Sequence, residues 1–218
     1  MKILYDKFDK SALSDLPRAL FEGRVIVVQT ESEADKAVNY LLSSPLVGFD
    51  TETRPSFKRG VVNKVSLLQL STDDTCFLFR LNYIGLPPSV VQLLQNGQVT
   101  KIGLSLNDDY TALRRRAELA PQGFLDLQQY VKDFGIADMS LQKLYANIFG
   151  QKIVKRQRLT NWEADVLSDG QKLYAATDAW ACLRIYRELE ALRLSGDYEL
   201  RRMPQEPEVQ QETNGMKI

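Results

Sequence analysis

The sequence predicts one α/β domain with a mixed β-sheet. Residues 63–80 contain two apolar segments separated by Asp73 and Asp74, which is the pattern of two antiparallel strands in a hairpin. After the hairpin, short apolar segments alternate with amphipathic helical segments, as in parallel strands that are joined by helices. The chain has 218 residues, which is enough for one sizeable hydrophobic core.

The boundaries of this domain follow from local composition. Residues 1–23 are mixed in character and predict an irregular or short helical lead-in, so the domain is expected to span residues 24–194. From Ser195 onward the sequence is polar and predicts a disordered tail over residues 195–218. Between these limits we expect strands at 24–30, 45–53, 63–72, 75–80 and 101–106, and helices at 30–42, 88–96, 107–118 and 139–149. A strand is expected to run into a helix at 124–130. An irregular basic connection at 150–168 is expected to precede a final helix that starts after Ser168.

The composition excludes several classes of active site. The chain contains no histidine, which rules out Ser-His-Asp and Cys-His nucleophilic sites and zinc sites that need imidazole. Cys76 and Cys182 lack the spacing of a metal site and are expected to be reduced core residues of a cytoplasmic protein. The formal net charge is zero, so nucleic-acid binding would depend on local basic patches. No segment has the length of a membrane span or the pattern of a signal peptide.

The final helix carries a carboxylate on its apolar side. Ser168 and Gln171 form a capping box that starts the helix, and Asp178 lies in the middle of its apolar stripe. No residue three or four positions from Asp178 is a cation, so its own helix offers no partner. A buried carboxylate without a partner is costly. Asp178 is therefore expected to be neutralised or to bind a metal ion.

A second acidic pair lies on a predicted strand. Asp50 and Glu52 are two residues apart, so their side chains project from the same face, and Gly48 leaves room beside them. The repulsion between two such carboxylates would be relieved by a divalent cation. The alternative is an acidic pair at the end of a strand that is exposed to water.

Further candidates follow from position alone. Asp109 lies in the first turn of a predicted helix that Asn107 could cap, where an acid can bind a metal or simply complement the helix dipole. Tyr174 lies one turn before Asp178 and can be a core residue or a polar group of the site. A capping role accounts for Asp126, which is left out of the predicted site.

These motifs resemble those of a known superfamily. The segments VGFDTET, GLSLNDDYTAL and LYAATDAW are similar to the three exonuclease motifs of the DEDD superfamily, in its Tyr-containing branch. Within that branch the similarity is greater to Werner-type exonuclease domains than to ribonuclease D, and it covers roughly residues 25–192. The resemblance implies a ribonuclease H-like fold with a mixed sheet of five to six strands flanked by helices. It also implies 3′-5′ hydrolysis that releases nucleoside monophosphates.

The resemblance and the acids together suggest a mechanism that depends on two divalent cations, Mg²⁺ or Mn²⁺. Asp50 is expected to bridge the two ions, with Glu52 and Asp178 completing one site and Asp109 supporting the other. Tyr174 is expected to orient the attacking water, because a phenol with a pKa near 10 is a poor base. The expected substrate is a single-stranded or recessed 3′ end of DNA, with no helicase domain attached and no membrane involved. The alternatives are a ribonuclease acting on short RNA and a catalytically silent nucleic-acid-binding module.

Basic residues near the motifs are candidates for contacts with the phosphate backbone. Trp162 could stack on a base or pack in the core. For each cation the alternative is an ordinary solvated surface charge. The predicted nucleic-acid contacts are Lys58, Arg59, Lys155, Arg156, Arg158 and Trp162, with Lys64 and Lys152 beside them in sequence.

Overall fold

The computed structural model describes residues 1–203 of the chain. The strands are β1 (Lys2–Tyr5), β2 (Arg24–Val28), β3 (Leu46–Thr53), β4 (Val65–Ser71), β5 (Thr75–Arg80), β6 (Thr100–Gly103), β7 (Phe124–Asp126) and β8 (Tyr198–Arg201). The α-helices are α1 (Glu31–Leu41), α2 (Leu81–Ile84), α3 (Pro88–Leu94), α4 (Leu106–Arg114), α5 (Leu127–Tyr130), α6 (Leu141–Phe149) and α7 (Asp169–Ser195). Short 3₁₀ helices occupy Ser11–Ser14 and Val131–Phe134.

The main sheet has six strands in the order β2-β5-β4-β3-β6-β7. Strand β4 pairs antiparallel with β3 and β5, whereas β2 runs parallel to β5, and β3, β6 and β7 run parallel to one another. Every residue of β4 is buried, as its apolar sequence predicts for a central strand. The predicted hairpin and the mixed α/β sheet are therefore confirmed.

Helices cover both faces of this sheet. Apolar residues of α1, α3 and α4 share one core cluster with Val47 and Phe49 of β3. The long helix α7 packs on the opposite face together with α6. Gly48 makes this packing possible, because a Cβ atom at that position would lie 1.9 Å from the carbonyl oxygen of Ala179. Within residues 1–203, α7 and the other helices lack the combination of length and apolarity that a membrane span requires.

The two ends of the described chain pair with each other. Strand β1 runs parallel to β8, with Lys2 opposite Tyr198, and Leu4 of β1 is fully buried. This pairing corrects the prediction of a lead-in without strands and of disorder at residues 198–201. Neither segment has a strong strand pattern of its own, and each obtains its backbone hydrogen bonds from the other. Residues 204–218, which make up the rest of the predicted tail, lie outside the described residues.

Candidate active site

Three carboxylates meet where α7 crosses β3. One oxygen from each of Asp50, Glu52 and Asp178 lies within 4.8 Å of the other two. Asp50 and Glu52 point to the α7 side of the sheet because alternate residues of a strand share a face. Asp178 reaches them from a helix whose start is set by the predicted Ser168–Gln171 capping box. Both Glu52 and Asp178 are buried.

Asp109 approaches the same cavity from the other side of β3. It lies in the first turn of α4, and its carboxylate accepts a hydrogen bond from the Thr51 hydroxyl. The cavity, of about 530 Å³, is lined by all four acids and by Tyr174. Thr51 therefore helps to hold Asp109 in place; it was not among the predicted site residues, and its position between Asp50 and Glu52 is a local signal that could have indicated it.

The start of α4 is held by Asp126. The helix begins after Ser105, whose φ of +63° is in the left-handed region that non-glycine residues rarely adopt, and not at Asn107 as predicted. One oxygen of Asp126 accepts hydrogen bonds from the Ser105 and Gln128 amides at 3.0 and 2.8 Å, and the other accepts from the Leu106 amide at 3.0 Å. Asp126 caps α5 as predicted, and it also ties down the turn that presents Asp109.

Burial raises the pKa values of all four acids, and repulsion between carboxylates adds to this effect at Asp50 and Glu52. Burial, and then repulsion from its acidic neighbours, raises the pKa of Asp50 well above its usual range and the pKa of Glu52 to about 9. Burial also raises the pKa of Asp178 to about 7 and that of Asp109 to about 6. The folded chain therefore holds these groups at a cost that a bound cation would relieve.

Tyr174 lines the site, and Trp162 packs behind it. Tyr174 is buried on α7, and its ring packs against that of Trp162 at 6.1 Å between centroids. Burial and the charge of Asp178 raise the pKa of the Tyr174 hydroxyl far above 10, so this hydroxyl stays protonated at neutral pH. The ring of Trp162 is fully buried. Its predicted stacking on a base is therefore wrong, and the alternative of core packing is the one observed.

Comparisons with known proteins agree with this geometry. The sequence model described as 3′-5′ exonuclease matches residues 25–192. The chain belongs to the 3′-5′ exonuclease family. The bifunctional 3′-5′ exonuclease/ATP-dependent helicase WRN of Mus musculus is 31% identical over 191 residues, covering 83% of this chain and 14% of that protein. A 3′-5′ exonuclease of Arabidopsis thaliana is 30% identical over 194 residues, covering 82% of this chain and 67% of that protein.

Solved structures show the same fold. The Nibbler EXO domain of Aedes aegypti has a TM-score of 0.73 at 22% identity and covers 84% of this chain and 94% of its own. Escherichia coli RNase D has a TM-score of 0.70 at 21% identity and covers 80% of this chain and 46% of its own. These likenesses confirm the predicted ribonuclease H-like fold, and the family match confirms the predicted resemblance.

The donor set in this exonuclease-family chain fits divalent cations. Carboxylate oxygens are the ligands that Mg²⁺ and Mn²⁺ prefer. One buried oxygen of Asp178 has no hydrogen-bond partner among the described residues. Gln69, which is fully buried and lies opposite Asp50 in the β3–β4 register, likewise has both amide atoms unpartnered within residues 1–203. Gln69 was not among the predicted site residues, and it shares β4 with two other buried polar residues, Ser66 and Ser71.

The predicted basic contacts lie in different parts of the structure. Lys155 and Arg158 line the same cavity as the acids, and Arg156 lines a neighbouring cavity that Tyr174 borders as well. Lys58 and Arg59 lie on the exposed loop between β3 and β4. Lys152 donates a hydrogen bond to the Ser14 carbonyl, so it helps to hold the N-terminal segment in place.

Proposed function

We propose that this chain is a metal-dependent 3′-5′ exonuclease that removes nucleoside monophosphates one at a time from the 3′ ends of DNA. The observation that carries this proposal is the meeting of Asp50, Glu52 and Asp178 within 4.8 Å, inside the segment that matches the exonuclease family. Because the chain spans only 14% of its mouse relative, the activity of that whole protein is not carried over to it. All four acids of the expected site are present, which favours an enzyme over a silent binding module.

The acids would hold two Mg²⁺ or Mn²⁺ ions. When bound, such ions lower the pKa of an attacking water and stabilise the negative charge that develops on the leaving oxygen. Asp50, Glu52 and Asp178, which meet in the structure, would hold the ions together with Asp109, which lines the same cavity. Thr51 and Asp126 would keep Asp109 in place through the hydrogen bonds described above.

Tyr174 would orient the attacking water. Its hydroxyl lies near Asp178 and keeps its proton at neutral pH, so it can make hydrogen bonds but cannot act as a general base. The packing of its ring against buried Trp162 limits the positions that the hydroxyl can take. We therefore assign Tyr174 to aligning the water with the scissile phosphate.

Backbone phosphates of the substrate would be contacted by five basic residues: Lys155, Arg156, Arg158, Lys58 and Arg59. Cations of this kind give affinity without sequence preference. The proposed preference for DNA over RNA rests on the resemblance to Werner-type domains. It does not rest on the site itself, because we assign none of the site residues to a contact with a 2′-hydroxyl. The two buried cysteines are unpaired, which suits the reducing environment of the cytoplasm.

The test is degradation of 5′-labelled DNA and RNA strands of the same sequence. With Mg²⁺ or Mn²⁺ we expect a ladder of products shortened from the 3′ end, together with free nucleoside 5′-monophosphates. With EDTA we expect no shortening, and restored activity on adding back the metal. The same strands, annealed to form recessed 3′ ends, compare single-stranded with duplex substrates.

Three results would contradict this proposal in different ways. Full activity in EDTA would remove the role of the cations. Tight binding of both strands without any shortening would favour a catalytically silent module. Faster degradation of RNA than of DNA would replace the proposed substrate by the ribonuclease alternative.

A further inference from the structure

The loop between β3 and β4 exposes apolar side chains in a basic setting. Residues 54–64 have the sequence RPSFKRGVVNK, which contains four cations and no acidic residue. Phe57 is 88% exposed, and Val61 and Val62 are 49% and 68% exposed. Large apolar groups gathered at the tip of one loop commonly mark a binding surface.

Hydrogen bonds hold both the base and the tip of this loop. At the base, the Asn63 side-chain amide donates to the Arg54 carbonyl at 2.8 Å, and the Arg54 guanidinium pairs with Glu163 at 3.2 Å. At the tip, the Val61 amide donates to the Lys58 carbonyl at 3.2 Å, with Gly60 at a φ of +78°. This is the pattern of a type II turn, in which glycine takes the third position. Phe57 thus extends outward from a defined turn.

The loop begins at the acidic site. Strand β3 ends one residue after Glu52, and Arg54 then reaches Glu163, the neighbour of the Trp162 that packs against Tyr174. Phe57 is five residues beyond Glu52, so the two Cα atoms lie within about 17 Å of each other. A strand whose 3′ end occupies the site and that runs along this loop would come within reach of Phe57 a few nucleotides upstream.

We propose that Phe57 stacks on an unpaired base of the substrate strand, while Lys58 and Arg59 contact the adjoining phosphates. The absence of acidic residues from the loop favours a polyanion over a protein partner, and every base offers a face on which a phenyl ring can stack. An unpaired base is required, so this surface selects substrates that are single-stranded near the 3′ end. The proposal rests on the proposed function, because it places the 3′ end at the acids.

The test compares Phe57→Ala, Phe57→Trp and Leu194→Ala. Leu194 is a matched control, because it is 84% exposed and lies sixteen residues beyond Asp178 at the far end of α7. The ligands are fluorescein-labelled DNA 12-mers that carry one abasic position, moved in steps from two to seven nucleotides from the 3′ end. Affinity is measured by anisotropy with Ca²⁺ in place of Mg²⁺, and hydrolysis is measured separately with Mg²⁺ on the same strands and on thymidine 5′-p-nitrophenyl phosphate.

We expect the intact chain to lose about five- to a hundredfold in affinity at one abasic position, which is the range for a single stacked base. Phe57→Ala should lose a similar factor on the intact strand and show no further loss at that abasic position. Phe57→Trp should restore both the affinity and the abasic effect, and Leu194→Ala should behave as the intact chain. Hydrolysis of the small chromogenic substrate should be equal in all four proteins.

Two results would overturn the proposal. One is unchanged affinity of Phe57→Ala for the intact strand. The other is an abasic effect that is the same in Phe57→Ala and in the intact chain, which would mean that Phe57 does not meet a base. Absence of hydrolysis together with an abasic effect that depends on Phe57 would contradict the proposed activity and support the stacking surface.

Discussion

The acids and the cations that line the same cavity are held in different ways. Asp178 lies on a 27-residue helix packed against the sheet, and it is buried beside Asp50 and Glu52. Lys155 and Arg158 lie in the irregular segment between α6 and α7, and both side chains are exposed. Burial of the acids costs folding free energy and fixes the positions of their side chains. The exposed cations cost little folding free energy, and their side chains can change position.

Under the proposed function, this difference corresponds to a division between chemistry and binding. A group that must keep its position to within a fraction of an ångström belongs on rigid elements, as the three meeting acids do. A group that follows a flexible phosphate backbone needs charge and reach more than a fixed position. We therefore expect substitutions of the acids to act on the rate and substitutions of the cations to act on affinity.

The largest effect is expected from Asp178→Asn. The amide is nearly isosteric but carries no charge, so it should weaken the metal site while leaving the fold intact. We expect the single-turnover rate on single-stranded DNA to fall by about a thousandfold or more, because bound metal ions supply several kcal/mol of stabilisation to the transition state. A rate within tenfold of the original protein would place Asp178 outside the chemistry.

The matched control for this variant is its thermal stability without metal. Burial raises the pKa of Asp178 from its ordinary value of 3.8 to about 7 in the folded chain, so the folded state binds this proton more tightly than the unfolded state. The folding stability associated with this group is therefore complete below about pH 4 and is lost as pH rises toward 7. In EDTA, the melting temperature of the original protein should fall more between pH 5 and pH 8 than that of Asp178→Asn. An identical decrease in both proteins would show that Asp178 is not held at such a cost.

An intermediate effect is expected from Tyr174→Phe. Tyr174 lies on the same long helix as Asp178, but its expected contribution to the rate comes from one hydroxyl and not from a charge. If this hydroxyl orients water, the single-turnover rate should fall by about ten- to a thousandfold with little change in KM. An unchanged rate would return Tyr174 to the core, where its contact with Trp162 already gives it a structural role.

The smallest effect on rate is expected from the combined replacement of Lys155, Arg156 and Arg158 by Ala. Affinity should fall alike on all sequences, and the plot of log affinity against log salt should flatten, because fewer counterions are released. The control replaces three exposed cations on helices, Lys36, Arg187 and Arg193, and so changes the net charge equally. Parallel salt plots for the original protein and the first variant would show that these charges do not touch phosphate.

Much of this molecule could be predicted from local patterns. The apolar sequence of β4 indicated a central strand, and two capping boxes marked the starts of α1 and α7. The spacing of Asp50 and Glu52 placed both acids on one face, and the stripe that contains Asp178 placed it toward the core. Each of these inferences depends on residues within one or two turns or strands, where period and spacing determine direction.

Tertiary contacts decided the remainder. Strands β1 and β8 pair across almost the whole described chain, and neither segment contains a local signal of its partner. Three further contacts also join segments that are distant in sequence. They are the packing of Trp162 against Tyr174, the hydrogen bonds of Asp126 to the turn before α4, and the hydrogen bond from Thr51 to Asp109. The sequence by itself identified the candidate side chains of the site and the direction in which most of them face. Only the packing of helices on both faces of the sheet decided which of those side chains meet. The meeting depends on contacts between distant segments, and the local spacing of apolar residues carries no information about such contacts.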